Sequence, residues 1–147
     1  QYVHASKIYE ENVHVPLILI NPRLFNGEES RVIAGLIDIA PTVLHLLDVP
    51  IPGKWQGRSL FSEDRSPRVY FFSPWSDSLF GYREGDRNFI FNATADEFEV
   101  YDLLDDPEEA INLAESVDTE VVLQRLAAWV QYQNSLAERL TEATGTR

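Results

Sequence analysis

Hydrophobic and polar positions divide this chain into two halves of different character. Residues 7–21 read KIYEENVHVPLILIN. Ile8, Tyr9 and Asn12 fall at helical spacing with Glu10 and Glu11 turned to water, which predicts a short amphipathic helix. Residues 15–20, Val-Pro-Leu-Ile-Leu-Ile, lack polar alternation and predict a strand covered on both faces. Pro16 is tolerated near a strand start. Asn26-Gly27 marks a turn. Residues 31–37 predict a second short strand, broken by Gly35. Asp38 then stands as N-cap of a helix over residues 39–47, with Pro41 in its first turn and Ile39, Val43, Leu46 and Leu47 facing inward. Val-Pro-Ile-Pro-Gly at residues 49–53 cannot continue that helix.

The second half alternates. Residues 69–73, 79–83, 88–92 and 97–103 are four strand-like runs separated by short polar turns, the pattern of an antiparallel meander. A helix over residues 118–141 follows, capped by Asp118 or Thr119. Val122, Leu126, Trp129, Val130, Leu136 and Leu140 form its apolar stripe. Residues 61–67, charged and turn-rich, separate the halves and place a boundary between units 1–67 and 68–147.

Composition narrows the function classes. The 147 residues are 44% hydrophobic, with 8 Phe, 6 Tyr and 3 Trp, enough to bury a core. Twenty-four acids against 12 bases give a net charge of −12, the opposite of a nucleic-acid footprint. No run is long and apolar enough to span a membrane. With no cysteine there is no disulfide framework and no thiolate metal site. That absence suits an exported protein and fits a cytoplasmic one too. The chain opens on Gln1 rather than Met, so the natural start is expected upstream.

Candidate chemistry is sparse. His4 and Lys7 lie three apart just before the apolar run. An imidazole and an ammonium placed there suit contact with an anionic oxygen, although a two-residue pattern is more often just two exposed polar residues near a frayed terminus. His14 and His45 read as surface or packing residues, and the three histidines are too scattered for a metal site. Glu10-Glu11 and Glu108-Glu109 are adjacent pairs, and neighbours on a helix point different ways, so both pairs are expected to be solvated. Asp105-Asp106-Pro107-Glu108 reads as a turn and helix start rather than a metal loop. Neither a glycine-rich phosphate loop nor a Gly-x-Ser-x-Gly elbow is present.

The ordered set YEENVHVPLILINP, LIDIAPTVLHLLDVPIP, GRSL, YREGDRNFIFN and EVYDLLDDPEEAINLA resembles the C-terminal part of the sulfatase family, in the alkaline-phosphatase-like superfamily. It covers roughly residues 4–114, and five blocks in order are far more specific than any one. The residue 118–141 helix carries no motif of its own. The resemblance implies an α+β arrangement: the tail of an α/β catalytic domain over residues 1–67, then a small four-stranded antiparallel sheet packed by a long C-terminal helix over residues 68–147. Asp38-Ile39-Ala40-Pro41-Thr42 would start a helix against the central sheet. Gly57-Arg58-Ser59-Leu60 would end the catalytic domain. Arg83 falls on a strand where relatives often carry Lys or Arg.

The same resemblance implies a metal-dependent hydrolase of sulfate esters, with Ca, Mn, Zn or Mg bound by the parent protein and not by this chain. The family's C/S-x-P-x-R nucleophile segment and its Asp-His or Asp-Asn metal pair do not occur in this sequence, so the chain alone is expected to be inactive. His4 resembles the family histidine that contacts ester oxygens or assists the leaving group, and Lys7 is the nearest lysine to that role. The expected partner is an anionic sulfate or phosphate ester, without nucleic acid. A parent acting as a phosphoglycerol transferase or phosphonate or phosphodiester hydrolase fits the same blocks, as does a non-catalytic structural or interaction module. Residues 17–20, deprived of parallel neighbours, are expected to promote homo-oligomers, swap segments or be covered by the chain's own helices.

Overall fold

A computed structural model describes residues 7–75 and 77–145. His4 lies outside the described residues.

The second half folds as its alternation predicts. Strands β1 (Arg68–Ser73), β2 (Leu79–Glu84), β3 (Arg87–Asn92) and β4 (Glu97–Asp102) form one antiparallel sheet in the order β1-β2-β3-β4. Gly85, at φ +61°, makes the tight turn between β2 and β3. The register aligns Tyr70, Tyr82, Phe89 and Val100 in one row across the strands. Helix α3 (Thr119–Thr144) lies over that row. Val122 and Leu126 are buried against Tyr82, Phe89 and Val100, and Trp129 stacks on Tyr70 with ring centroids 5.2 Å apart. The Asp118 carboxylate accepts from the N–H groups of Glu120 and Val121, capping α3 as the sequence suggests. Leu140 is exposed.

Charge fills the next row. Arg68 bonds Glu84 at 2.7 Å, Arg125 reaches Glu84 from α3, and Arg87 faces Asp102. At the β4 edge, Asn112 substitutes for a strand. Its Oδ1 accepts from Val100 N–H, its Nδ2 donates to the Phe98 carbonyl, and Leu113 N–H donates to the Val100 carbonyl. Asp106 accepts from the N–H groups of Ala110 and Ile111, so the acidic segment is a turn.

The first half departs from expectation. Residues 15–20 form no strand and pair with none. Ile18 and Ile20 are 76% and 85% exposed, because a parallel strand needs neighbours that the described residues do not provide. Residues 31–35 also pair with no strand, and a 3₁₀ turn, Leu36–Asp38, follows. Helix α2 (Ile39–Leu46) forms, but Pro41 and Thr42 are its buried residues, while Ile39, Val43 and Leu47 are exposed. Leu19, Ile20, Leu24 and Phe25 meet Val43, Leu46 and Leu47 around an open cleft of about 220 Å³, so α2 covers one side of the apolar run.

Asp38 is not the side-chain cap of α2. Its carboxylate accepts from the N–H groups of Gly35 and Arg58 at 3.0 and 2.8 Å and from the Arg65 guanidinium at 3.0 Å. Arg65 also donates to the carbonyls of Ile33, Arg58 and Ser59. Thr42 Oγ1 donates to the Asp38 carbonyl and accepts from Leu60 N–H. The Asp-Ile-Ala-Pro-Thr and Gly-Arg-Ser-Leu segments are therefore one hydrogen-bonded unit. Gly57 is required by closeness: a Cβ there would lie 2.0 Å from the Ile37 carbonyl oxygen.

Candidate functional site

The segment carrying Lys7 crosses from the first half onto the sheet face opposite α3. Ile8 is buried there with Leu79, Ile90 and Tyr101, and Tyr9 and Val13 pack around them. The predicted helix shrinks to α1 (Glu10–Val13), with Ile8 and Tyr9 ahead of it. Gly81 makes room for Ile8, since a Cβ at Gly81 would sit 3.1 Å from its Cδ1.

Polar anchors complete this docking. Tyr9 and Tyr101 both donate their phenol O–H to Glu99 Oε2, at 2.8 and 2.6 Å, and their rings meet edge-on at 6.1 Å. Glu10 pairs with Arg83 of β2 and, at 3.0 Å, with His14. Glu109 Oε2 accepts from Glu10 N–H and its Oε1 accepts from Asn88 Nδ2, both at 2.6 Å. Glu109 holds φ +51°, a left-handed conformation uncommon for a non-glycine residue. Two carboxylates expected to be solvated, Glu10 and Glu109, are thus engaged; Glu11 and Glu108 are the exposed members of their pairs.

The electrostatics follow from burial and crowding. Burial, then the Glu99 hydrogen bond and charge, push the Tyr9 phenol up to about 12. The same causes push Tyr101 higher still. Burial and the Glu10 and Glu99 carboxylates push Glu109 above the usual carboxylate range, against the lowering effect of its two donors. Asn88 is fully buried, and its Oδ1 has no partner.

Lys7 is exposed, with Nζ 5.5 Å from the centre of the Tyr9 ring. It sits outside α1. His14 is exposed, as is His45, whose ring lies 5.8 Å from Phe61. Among the described residues no group of three or more His, Asp or Glu side chains is arranged to hold a metal ion. No described helix is long and apolar enough to cross a membrane. Reading the segments singly missed Glu99, Glu109 and Asn88. The available signal was Glu99 and Tyr101 two apart on a strand, which puts both on one face.

The family described as N-sulphoglucosamine sulphohydrolase, C-terminal, matches residues 2–135. The chain is 29% identical over 137 residues to arylsulfatase K of Xenopus laevis, covering 80% of this chain and 26% of that protein. It is 32% identical over 123 residues to N-acetylglucosamine-6-O-sulfatase of Bacteroides thetaiotaomicron, covering 72% and 22%. The chain therefore spans about a quarter of the length of these relatives. Among solved structures, one in complex with its substrate D-glucosamine-2-N,6-O-disulfate aligns with TM-score 0.51 at 23% identity, over 69% of this chain and 24% of that one. A 2-O GAG sulfatase aligns with TM-score 0.50 at 20% identity, over 71% and 26%. The fold is shared at that distance, and the family match runs through both halves. The chain belongs to this family and is the C-terminal part of a sulfatase-family protein.

Proposed function

We propose that the parent protein is a metal-dependent hydrolase of sulfate esters, and that this chain supplies scaffold and one edge of the anion site. The family match across residues 2–135 carries this reading. The relatives' names add a sulfated amino sugar as the substrate class to try first. Residues 1–67 are the tail of the catalytic domain and residues 68–147 a small subdomain beside it. Lys7, solvent-facing on a segment anchored to the sheet, contacts an ester oxygen. His4 contacts the same anion or gives a proton to the leaving group.

A divalent ion, Ca, Mn, Zn or Mg, would neutralise the sulfuryl oxygens and activate the nucleophile. The described residues do not fit such an ion, so its ligands belong to other parts of the parent. The chain alone is then inactive.

The intact parent is to be assayed with a sulfated glucosamine, an aryl sulfate and a bis-aryl phosphate. Release of sulfate is expected, with Lys7→Ala lowering kcat/KM about tenfold or more, the scale of a lost hydrogen bond to a charged group. Turnover of the phosphate ester alone would assign a phosphodiester or phosphonate hydrolase. Silence on all three would make the protein a non-catalytic module, and turnover by the purified chain would refute the placement of the missing groups.

A further inference from the structure

The face of the sheet that receives α1 holds more negative charge and more acceptors than it holds donors. Three carboxylates converge on it: Glu10 from α1, Glu99 from β4, and Glu109 from the loop after β4. Arg83 of β2 is the guanidinium among them, and it is bonded to Glu10. The Tyr9 and Tyr101 phenols are already spent on a single oxygen of Glu99. The Asn88 amide gives a proton to Glu109 and keeps a buried acceptor with no partner. Lys7 lies over the outer face of Tyr9. One added proton on this surface removes a negative charge from among the three carboxylates.

We infer that the docking of α1 onto the sheet is a proton-operated latch: Glu109 takes up a proton as the medium acidifies, and α1 is then held more tightly. His14, 3.0 Å from Glu10, belongs to the same short segment, so that contact stays within α1 and does not cross to the sheet. The direction of the Glu109 shift agrees. A carboxyl held above its ordinary value of 4.5 by burial and neighbouring charge favours the folded arrangement fully below that value. The contribution is lost as pH rises through the raised value. Glu109 keeps its place in either form, since Oε2 can accept the Glu10 N–H with or without a proton on the carboxyl group. The left-handed backbone at Glu109 is a strain held in place by that pair of bonds. The latch acts on the segment that carries Lys7 and stands whatever ester the parent hydrolyses.

Hydrogen exchange of the backbone amides of residues 10–14, corrected to protection factors at pH 5.0 and 7.5, tests this on the intact protein. The expected result is severalfold greater protection at pH 5.0. Glu109→Gln, permanently neutral, is expected to hold the higher protection at both values. His14→Gln is expected to keep the pH dependence. Equal or lower protection of the wild type in acid overturns the latch, as does a Glu109→Gln protein with the wild-type slope. Should Glu109→Gln fail to fold, the wild-type and His14→Gln slopes decide: loss of the whole slope in His14→Gln removes Glu109 from the device.

Discussion

The sheet unit and the α2 region carry similar hydrophobic content and treat it in opposite ways. Around Tyr82, Phe89 and Val100 the sheet and α3 close over their own apolar groups, and Tyr82 is fully buried. Around residues 15–20 and α2, Ile18, Ile20, Leu36, Ile37 and Leu47 are open to solvent. Order in the α2 region comes instead from polar bonds: Asp38 and Arg65 fix the chain path between segments 20 to 32 positions apart. Apolar composition alone therefore does not make a core. A run buries itself only when the chain's topology brings matching surface to it, and polar junctions can hold a segment in shape while its greasy side stays uncovered.

Three substitutions break or sharpen that contrast. Tyr82→Ala should have the largest effect, about 3–5 kcal/mol lost in urea unfolding, the cost of emptying a closed aromatic core. A loss under about 1 kcal/mol would mean that the sheet unit is no better packed than the α2 region. Asp38→Ala leaves Arg65, whose side chain is 12% exposed, without its carboxylate. About 3 kcal/mol is expected, seen as local loss of protection in residues 35–60 while the sheet amides stay protected. Simultaneous loss in both regions would merge them into one cooperative unit. Ile18→Ser should change stability by less than about 0.5 kcal/mol, because little burial is lost. It should also weaken concentration-dependent self-association of the isolated chain, read by sedimentation. Unaltered association would remove residues 15–20 as its cause.

Legibility in the sequence followed the same division. The four strands were readable within a residue or two of their ends, because each alternates and is bounded by turn residues, and each finds its partner in the next strand along the chain. Helix α3 and its Asp118 cap were readable from local chemistry. Residues 15–20 read as a strand because the run has a strand's composition, but ladder pairing depends on distant neighbours that no local pattern contains. For Asp38, a capping residue and a hub for a distant arginine look alike in sequence; only the 27-residue separation to Arg65 closes the second option. The α1 anchors were hidden for the same reason. Glu10 bonds across 99 positions to Glu109 and 73 to Arg83, and nothing near Glu109 marks it as half-buried rather than solvated.

The Asn112 side chain has a consequence for assembly. Among the described residues, β4 is hydrogen-bonded along its outer side by Asn112 and Leu113, which closes that margin to strand addition. A layer that can grow from one margin stops at a pair of copies, whereas one open at both ends propagates as a fibre. The Asn112 amide and the Leu113 N–H together thus remove one of the two margins that fibre growth of this sheet would need.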